Sequence, residues 1–523
     1  MSRSSDPTVT PELPEPTTLT DEVSEPAEAP SKTSRRALFG AGAALAAAVL
    51  VPARKASAQR IVRPRPHNAR PKAPPADGDT LLRLVRRITN GVTEEELNRA
   101  KTLGFRAYLE YQLRHTAIDD SAVETFVSNT YPSMALDGQG LYQLNQNTLM
   151  AQLSQATLYR AAFSKRQLYE RMVHFWSDHF NIYFPKVNYL KVLDERDVIR
   201  KHALGKFPDM LRASAHSPAM LEYLDNTRSR GRNVNQNYAR ELMELHTLGV
   251  DGGYTQTDVE EVTRCLTGWT IQGRGLFRFD PTGHDFTAKV VLGSTIPAMS
   301  PSEGAAGIQD GETVLNMLLA HPSTAKFIAK KMSQWLLQYD PPQSLLDKVA
   351  ATFTRTGGDI PSMIRDIVTP ANLQAAPAKY RQPYQLMTAA LRATQPAARG
   401  VTALAGGQLL ALGQPLFQWE DPDGYPDYVD WWAGTILQRW NFSSYLANLS
   451  NANAEVYVDV TPLMLVPTPD GVADAISRRT FGGEMPASLR QRITAYLSAS
   501  TLTANRVREA LALTLSSTEF QWF

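Results

Sequence analysis

From Thr80 onward, apolar residues recur at the spacing of an α-helix, and this pattern constrains the fold more than any other feature of the sequence. The stretch TLLRLVRRI shows it clearly, because its leucine, valine and isoleucine residues repeat at helical intervals. No fixed-period repeat accompanies the pattern, which argues against a solenoid. We therefore predict a mainly α protein, a large irregular multi-helix bundle. The predicted helices cover residues 143–163, 164–182, 189–204, 207–215, 235–248, 257–268, 311–320, 323–338, 344–355, 360–368, 380–394, 431–447, 487–498 and 503–515.

Two capping boxes indicate where helices begin. Thr93 is followed three residues later by Glu96, and Thr257 is followed three residues later by Glu260. In a capping box, both side chains accept hydrogen bonds from backbone amides in the first turn. Gly249 is expected to end the helix that precedes the second box.

One stretch departs from the helical pattern. Residues 275–293, GLFRFDPTGHDFTAKVVLG, contain two short runs of strand-forming residues around a Pro-Thr-Gly turn. They predict a small β-hairpin inserted between helices. Residues 414–430, QPLFQWEDPDGYPDYVD, are rich in proline, acidic and aromatic residues, and we interpret them as an ordered surface loop.

The N-terminus has the pattern of a twin-arginine export signal. Arg35 and Arg36 stand before a mildly apolar run at 37–52, which is followed by a small-residue cleavage site ending at Ala58. The apolar run is shorter than the roughly twenty residues of a membrane-spanning helix. We therefore predict a signal peptide over 1–58 that engages the twin-arginine export machinery. After cleavage the protein would be periplasmic or secreted, with no stable membrane span; the alternative is an uncleaved anchor.

Residues 59–79 contain five basic residues and five prolines with little apolar surface to bury. This composition predicts a disordered Pro/Arg-rich linker. It connects the signal to one helical domain over 80–523, with a C-terminal subdomain from about residue 395.

The overall composition excludes some classes of protein. With 43% hydrophobic and 20% charged residues, the chain is typical of a globular protein. A net charge of +2 gives no electrostatic support for nucleic-acid binding. The single cysteine, Cys265, excludes an internal disulfide and a multi-cysteine metal site, and we expect it to be buried in a helix.

Several motifs occur in an order that resembles a large bacterial family. They are RMVHFWSDHFNIY, NYARELMELHTLGVDGGYTQTDVEEVTRCLTGW, FRFDPTGHDFTAKVVLG and HPSTAKFIAKK, followed by GQPLFQW and the terminal SSTEFQWF. Together they span roughly residues 80–523 and are similar to the domain of unknown function 1800 family. One departure is Gly424-Tyr425-Pro426, where the family tends to have a Gly-Trp-Pro-like turn. The resemblance implies an exported protein, often accompanied by a sulfatase-like partner, and it assigns no catalytic residues.

The first of these motifs places polar residues on one face of a helix. At 100° per residue, Glu170, His174 and Asp178 form one stripe. His179 falls on the opposite side, among apolar residues such as Trp176. We therefore predict that His179 belongs to the core and that His174 with Asp178 is the pair available for chemistry.

The second motif gives a similar result. Glu241 and Glu244 share one helical face, whereas His246 lies among apolar residues and is expected to be packed in the core.

If these two acidic faces met inside the bundle, three interpretations would remain open. Glu170, His174, Asp178, Glu241 and Glu244 could bind a divalent metal ion, since they would form an oxygen-rich site with a single imidazole. Without a metal, Glu241 or Glu244 could act as an acid or base while Asp178 polarises His174. In the third interpretation, arginines of the same helices pair with the carboxylates, or the acidic stripes are solvated, and the residues are structural.

The turn of the β insertion offers a further group. His284 and Asp285 could be carried over a pocket, with Lys289 following on the next strand. An aspartate that caps the turn explains the pattern equally well.

Three classes of function follow from these observations. The first is an exported hydrolase, metal-assisted or not, that acts on an envelope or extracellular polymer such as a glycan. The second is a cofactor-loaded periplasmic oxidoreductase, for which no dinucleotide or haem motif is present. The third is a non-enzymatic scaffold or maturation partner of another exported protein.

Overall fold

Many helices begin at a side chain that accepts a hydrogen bond from a backbone amide of the first turn. In the computed structural model, which describes residues 79–523, this cap is supplied by Asp79, Thr93, Thr255, Thr468 and Thr503. Such caps satisfy amides that have no partner within the helix. Local sequence therefore determines where many of the helices begin.

The helices make up most of the described residues, as the periodicity predicts. The α-helices up to the β insertion are Thr80–Ile88, Glu94–Leu103, Phe105–Leu113, Ser121–Thr130, Gly138–Tyr142, Gln146–Phe163, Gln167–His179, Phe184–Val187, Leu190–Asp194, Phe207–Ala215, Pro218–Tyr223, Asn237–Glu241 and Gln256–Cys265. Those after it are Ile308–Ala320, Pro322–Leu336, Gln343–Thr356, Ile360–Ile367, Pro370–Ala375, Pro383–Thr394, Leu409–Ala411, Val429–Trp432, Ile436–Ala447, Pro469–Phe481, Ala487–Ser498 and Ala504–Ser516. Segments of π-helix cover Glu195–Arg200, Leu242–Thr247 and Leu404–Gln408. Short 3-10 turns cover His115–Ala117, Pro132–Ala135, Asn226–Arg228, Pro281–Gly283, Pro301–Gly307, Ala433–Thr435, Thr461–Met464 and Glu519–Gln521.

The β insertion is confirmed, although its strands pair differently from the prediction. Strand Leu276–Phe279 pairs with Trp269–Gln272, and strand Lys289–Val291 pairs with Ser294–Ile296, both antiparallel. Each strand thus pairs with its nearest neighbour in sequence across a tight turn, which closes the shortest loop. A third small sheet pairs Ala397–Ala398 with Val456–Tyr457.

The predicted capping boxes are partly wrong. Thr93 caps its helix, but Glu96 points inward and accepts hydrogen bonds from Tyr108 and Gln112. The second box is formed by Thr255 with Asp258, two residues earlier than predicted. At the first helix, tertiary hydrogen bonds draw Glu96 away from the backbone. At the second, Thr255 and Asp258 lie at the positions that reach the backbone amides.

The apolar faces of the helices pack around two main cores. Helices Gln167–His179, Phe207–Ala215 and Pro322–Leu336 contribute to the first core. The second core lies mainly among helices after Pro383 and also includes residues of Gln146–Phe163. The described residues 79–523 fall within one compact unit.

Within residues 79–523, no helix combines the length and the apolar character needed to cross a membrane. The predicted signal residues Arg35, Arg36 and Ala58 lie outside the described residues, as does almost all of the predicted linker.

Gly311 tests how tightly the β insertion packs on the helices. A Cβ at Gly311 would lie 2.3 Å from the fully buried ring of Trp269, whereas a Cβ at Gly406 would meet nothing within 4 Å. We predict that Gly311→Ala lowers the free energy of unfolding by about 1–3 kcal/mol, because the ring has no free space to move into. Gly406→Ala should leave it unchanged or slightly raised. Thermal and chemical denaturation measure both effects, and equal stabilities would contradict the packing.

Candidate active site

His174 and Asp178 meet on helix Gln167–His179, as their spacing predicts. The imidazole Nε2 of His174 lies 3.4 Å from Oδ2 of Asp178. The imidazole also packs edge-on against Trp335 and Tyr384, with ring centroids 5.1 and 4.5 Å away. Burial lowers the pKa of His174 to about 3, and the positive charge of Arg171 adds to this effect. The imidazole is therefore neutral at physiological pH.

The carboxyl of Asp178 is perturbed in the opposite direction. Burial raises its pKa to about 8, against the opposing effects of the Lys331 ammonium and the Tyr425 backbone amide. Its side chain is 20% exposed, and Oδ2 accepts no hydrogen bond from any described residue. At neutral pH the Asp178 carboxyl keeps its proton. His174 and Asp178 are therefore both uncharged, and the carboxyl can act as a proton donor.

Glu170 does not join this pair. Its two carboxylate oxygens accept hydrogen bonds from Arg200 at 2.6 and 2.9 Å, in a buried bidentate ion pair. We predicted, as an alternative, that an arginine of the same helices would pair with these carboxylates. Glu170 does pair with an arginine, but it is Arg200, which lies outside both helices. Among residues 79–523, no three histidine, cysteine, aspartate or glutamate side chains are arranged to hold a metal ion. The predicted five-residue metal site is not assembled there, and Glu170 is instead bound to Arg200.

The two helices touch through their other faces. Nε2 of His179 lies 3.2 Å from the backbone carbonyl of His246, and both side chains are buried among aromatic rings such as Phe180. The placement of both histidines in the core is confirmed. Among residues 79–523, no hydrogen bond or ion pair joins the acidic face of one helix to the acidic face of the other.

Glu241 and Glu244 lie where helix Asn237–Glu241 continues into the π-helical segment Leu242–Thr247. Such π-helical turns are frequent at functional sites. Burial, together with the neighbouring charge of Glu244, raises the pKa of Glu241 to about 7. Glu241 is half-buried, and within residues 79–523 its carboxyl forms no hydrogen bond or ion pair, whereas Glu244 lies beside the phenol of Tyr254.

The loop at 414–430 connects the two acidic regions. Gly424 has a φ of 74°, and a Cβ there would lie 2.2 Å from the backbone oxygen of Asp178. The amide of Asn181 donates hydrogen bonds to the carbonyls of Trp419 and Asp421, at 3.0 and 2.7 Å. The loop is therefore seated on the end of the helix that carries His174 and Asp178, and its own acidic residues lie beside both regions.

Two aspartates of this loop complete the site. Asp423 accepts a hydrogen bond from the indole of Trp419 at 2.9 Å, and its charge raises the pKa of Glu241. Asp427 accepts a hydrogen bond from Lys379 at 2.6 Å, and its charge raises the pKa of Asp178.

A lysine lies among these carboxyls. Burial lowers the pKa of Lys331, while Asp178, Asp423 and Asp427 each raise it. We call Asp178, Glu241, Asp423, Asp427 and Lys331 the carboxylate cluster. Several shifted pKa values in one place are typical of a functional site, because each charge is held where solvent cannot fully stabilise it.

The groups predicted on the β insertion form a separate structural network. His284 Nε2 and Lys289 Nζ lie 3.2 and 2.5 Å from the same Asp310 carboxylate oxygen, and all three side chains are buried. Asp285 forms an ion pair with Arg264 at 2.8 Å. These groups have partners within the insertion and the neighbouring helices, so the capping and structural interpretation describes them best.

Sequence reasoning missed Lys331, Asp423 and Asp427. Lys331 stands in the charged run AKK of a helix, which resembles an ordinary solvated surface. The loop EDPDGYPD could have been recognised as a candidate site from the sequence, since four acidic residues surround a Gly-Tyr-Pro turn. Its contact with the Asp178 helix joins residues more than 200 positions apart, and helical periodicity does not predict such a contact.

The raised pKa of Asp178 predicts a specific pH dependence of stability. The folded protein keeps this proton up to about pH 8, whereas an ordinary aspartate loses it near 3.8. Stability is therefore lost as pH rises between these values. We predict that Asp178→Asn raises the melting temperature more at pH 9 than at pH 4.5. Asp251→Asn, at an exposed position, serves as the control and should show no such difference. An equal effect of both variants would contradict the buried carboxyl.

The packing of loop 414–430 against Asp178 can be tested by substituting two glycines of this region. Gly424 and Gly413 both have positive φ, 74° and 85°, so alanine strains the backbone at either position. At Gly413 a Cβ meets nothing within 4 Å, whereas at Gly424 it meets Asp178. We predict that Gly424→Ala increases amide hydrogen exchange in residues 419–427 well beyond the effect of Gly413→Ala. Equal exchange in the two variants would show that the close approach is unimportant.

Comparison with known proteins places these features in a family. A family model described as a protein of unknown function, DUF1800, matches residues 83–522. No curated protein and no solved structure matches the chain. The match covers the helical bundle, the β insertion and every residue of the carboxylate cluster. The chain therefore belongs to the DUF1800 family.

Proposed function

We propose that the carboxylate cluster is the active site of an exported hydrolase that cleaves an envelope or extracellular polymer, such as a glycan, by acid–base catalysis. The observation that carries this proposal is the state of Glu241. It is half-buried, has a pKa raised to about 7 and has no hydrogen-bond partner within residues 79–523. A general acid with these properties is protonated about half the time at neutral pH and can give its proton to a leaving group.

Asp423 is the natural counterpart of Glu241. The Trp419 indole donates a hydrogen bond to it, and the Lys331 ammonium lies close enough to stabilise its negative charge. Both effects lower the pKa of Asp423, although burial raises it overall. Burial raises the pKa of both carboxyls, but only Asp423 has both a hydrogen-bond donor, the Trp419 indole, and a nearby cation that oppose the shift. Two carboxyls in different surroundings can divide the roles of acid and base. In this proposal Glu241 protonates the leaving oxygen, while Asp423 activates the attacking water.

Exposed aromatic rings beside the cluster support a polymer substrate. Trp431 is 45% exposed, and its ring centroid lies 5.7 Å from Trp419, the residue that bonds Asp423. Tyr428 is also exposed, and its ring lies 6.3 Å from that of Trp431. Exposed apolar patches of this kind mark binding surfaces. Flat rings next to carboxylates suit sugar units, which have both apolar faces and hydroxyl groups.

The N-terminal sequence supports the location of this activity. Arg35 and Arg36 before a short apolar run favour twin-arginine export to the periplasm or beyond. Polymers of the cell envelope and the extracellular space are the substrates available there.

A second candidate function is a scaffold or maturation partner for another exported protein. The observation that favours it is a set of exposed apolar side chains near the C-terminal helices. They include Leu437, Trp440, Leu465 and Val466. A large exposed apolar surface is typical of protein interaction sites.

The test is hydrolysis of a panel of labelled bacterial polysaccharides by the purified protein, followed as release of reducing ends. We predict that Glu241→Gln lowers kcat/KM on a cleaved substrate at least about 100-fold, the usual contribution of a general acid. Glu244→Gln should retain activity but shift the upper limb of the pH–rate profile to lower pH, because it removes a charge that raises the pKa of Glu241. The exposed Glu260→Gln is the matched control.

Two further measurements separate the candidate functions. Trp431→Ala should raise KM with little change in kcat if the rings bind the polymer. An unchanged rate in Glu241→Gln would contradict the proposed acid. Failure to cleave any polymer, together with stable capture of an exported protein, would favour the scaffold.

A further inference from the structure

Arg171 is a buried cation with unsatisfied hydrogen-bond donors. Its side chain is 2% exposed, and its guanidinium lies between the rings of Trp335 and Phe523, 5.1 and 5.0 Å from their centroids. The donors Nε and Nη2 are buried and have no hydrogen-bond partner among residues 79–523. A buried guanidinium without partners is costly, because it has lost the water that solvates it elsewhere.

Other cations surround Arg171. The guanidinium groups of Arg87 and Arg381 lie over the same Phe523 ring, at 5.0 and 5.3 Å. The ammonium of Lys379 lies over the Trp335 ring at 5.8 Å. Burial and the mutual repulsion of these charges lower the pKa of Arg87 and Arg381 to about 9 and that of Lys379 to about 8. Four positive charges are therefore held together out of water.

Part of this charge is compensated within the chain. Arg381 donates hydrogen bonds to the carbonyls of Phe520 and Trp522, and Arg87 donates one to the carbonyl of Pro377. These bonds hold the C-terminal segment in place but supply no negative charge.

Asp427 supplies the negative charge beside Arg171, and it is already bound by Lys379 at 2.6 Å. Within residues 79–523, Arg87, Arg171 and Arg381 form no ion pair.

Several buried groups without partners in this region are donors. Besides two nitrogens of Arg171, they include Nη1 of Arg87 and Nε1 of Trp335. The Trp335 ring is the one that Arg171 and Lys379 both face. A ligand that satisfies such a set must offer several acceptors, and the excess of positive charge requires that it also be negative.

We propose that Arg171, with Arg87, Lys379 and the indole of Trp335, forms a buried binding site for an oxyanion. The chemical class is a small tetrahedral or planar oxyanion, either free or as the anionic group of a larger molecule. Water could satisfy the donors, but it would leave Arg87, Arg171 and Arg381 without an ion pair, since Asp427 is already bound by Lys379. Because the Phe523 ring lies against Arg87, Arg171 and Arg381, the anion is taken up as the chain folds and exchanges slowly afterwards.

The first measurement uses the natively purified full chain. Acid-denatured protein is examined by ion chromatography for inorganic phosphate and sulfate and by mass spectrometry for organic anions. We expect about one anion per chain, and its identity distinguishes a free oxyanion from an anionic group of a larger molecule. The second measurement is the melting temperature in inorganic phosphate against chloride at equal ionic strength, after unfolding and refolding without phosphate. A ligand that binds the folded state raises the melting temperature as its concentration increases.

The variant Arg171→Met keeps the volume of the side chain but removes its charge and donors. We expect it to lose both the retained anion and the phosphate-dependent stabilisation. Arg171→Lys keeps the charge and should show an intermediate effect if Met prevents folding. Arg365→Met is the control, since Arg365 is a surface residue paired with Glu110, and it should retain both properties.

Absence of any retained anion, together with equal melting temperatures in phosphate and chloride for the unmodified protein, would overturn the proposal. Full retention of both effects in Arg171→Met would also overturn it.

Discussion

The close approach of Gly424 to the backbone of Asp178 determines how the rest of the site is arranged. A side chain at position 424 would overlap the Asp178 carbonyl, so the loop can lie against the helix end only where a glycine with positive φ is present. Once seated, the loop buries Asp178 and brings Asp423 beside Glu241. Burial is the largest cause of each shifted pKa in the carboxylate cluster, and the loop adds the charges of Asp423 and Asp427 to it.

The carboxylate cluster and the cations around Arg171 both show the free-energy cost of burying a charged group, the first for negative charges and the second for positive ones. Carboxyls deprived of water hold their protons, as Asp178 and Glu241 do, and guanidinium groups deprived of water need a counter-charge. Asp427 stands between the two regions, since it is bound by Lys379 and also acts on Asp178. A chain that maintains both arrangements gives up stability at neutral pH, which is typical of sites kept for binding or chemistry.

The candidate site was predictable only in part. Helical geometry alone brought His174 to Asp178 and placed His179 and His246 in the core, because these relations depend on spacing within one helix. For the acidic faces of the two helices, no hydrogen bond or ion pair joins them within residues 79–523, and the hydrogen-bonded contact between the helices is that of His179 with the carbonyl of His246. Glu170 forms an ion pair with Arg200, and the backbone of Asp178 contacts the loop after residue 414. No local sequence pattern predicts either contact.

The sequence by itself determined the mainly α architecture, the helix starts set by caps such as Thr93 and the presence of a small β insertion. These features depend on residues within about one helical turn of each other or on a local turn. The tertiary structure decided which strands pair, which face of each helix is buried, and which distant charges share a dry environment. The free energy of a buried charge depends on everything packed around it, so the properties of Lys331, Glu241 and Arg171 exist only in the folded chain.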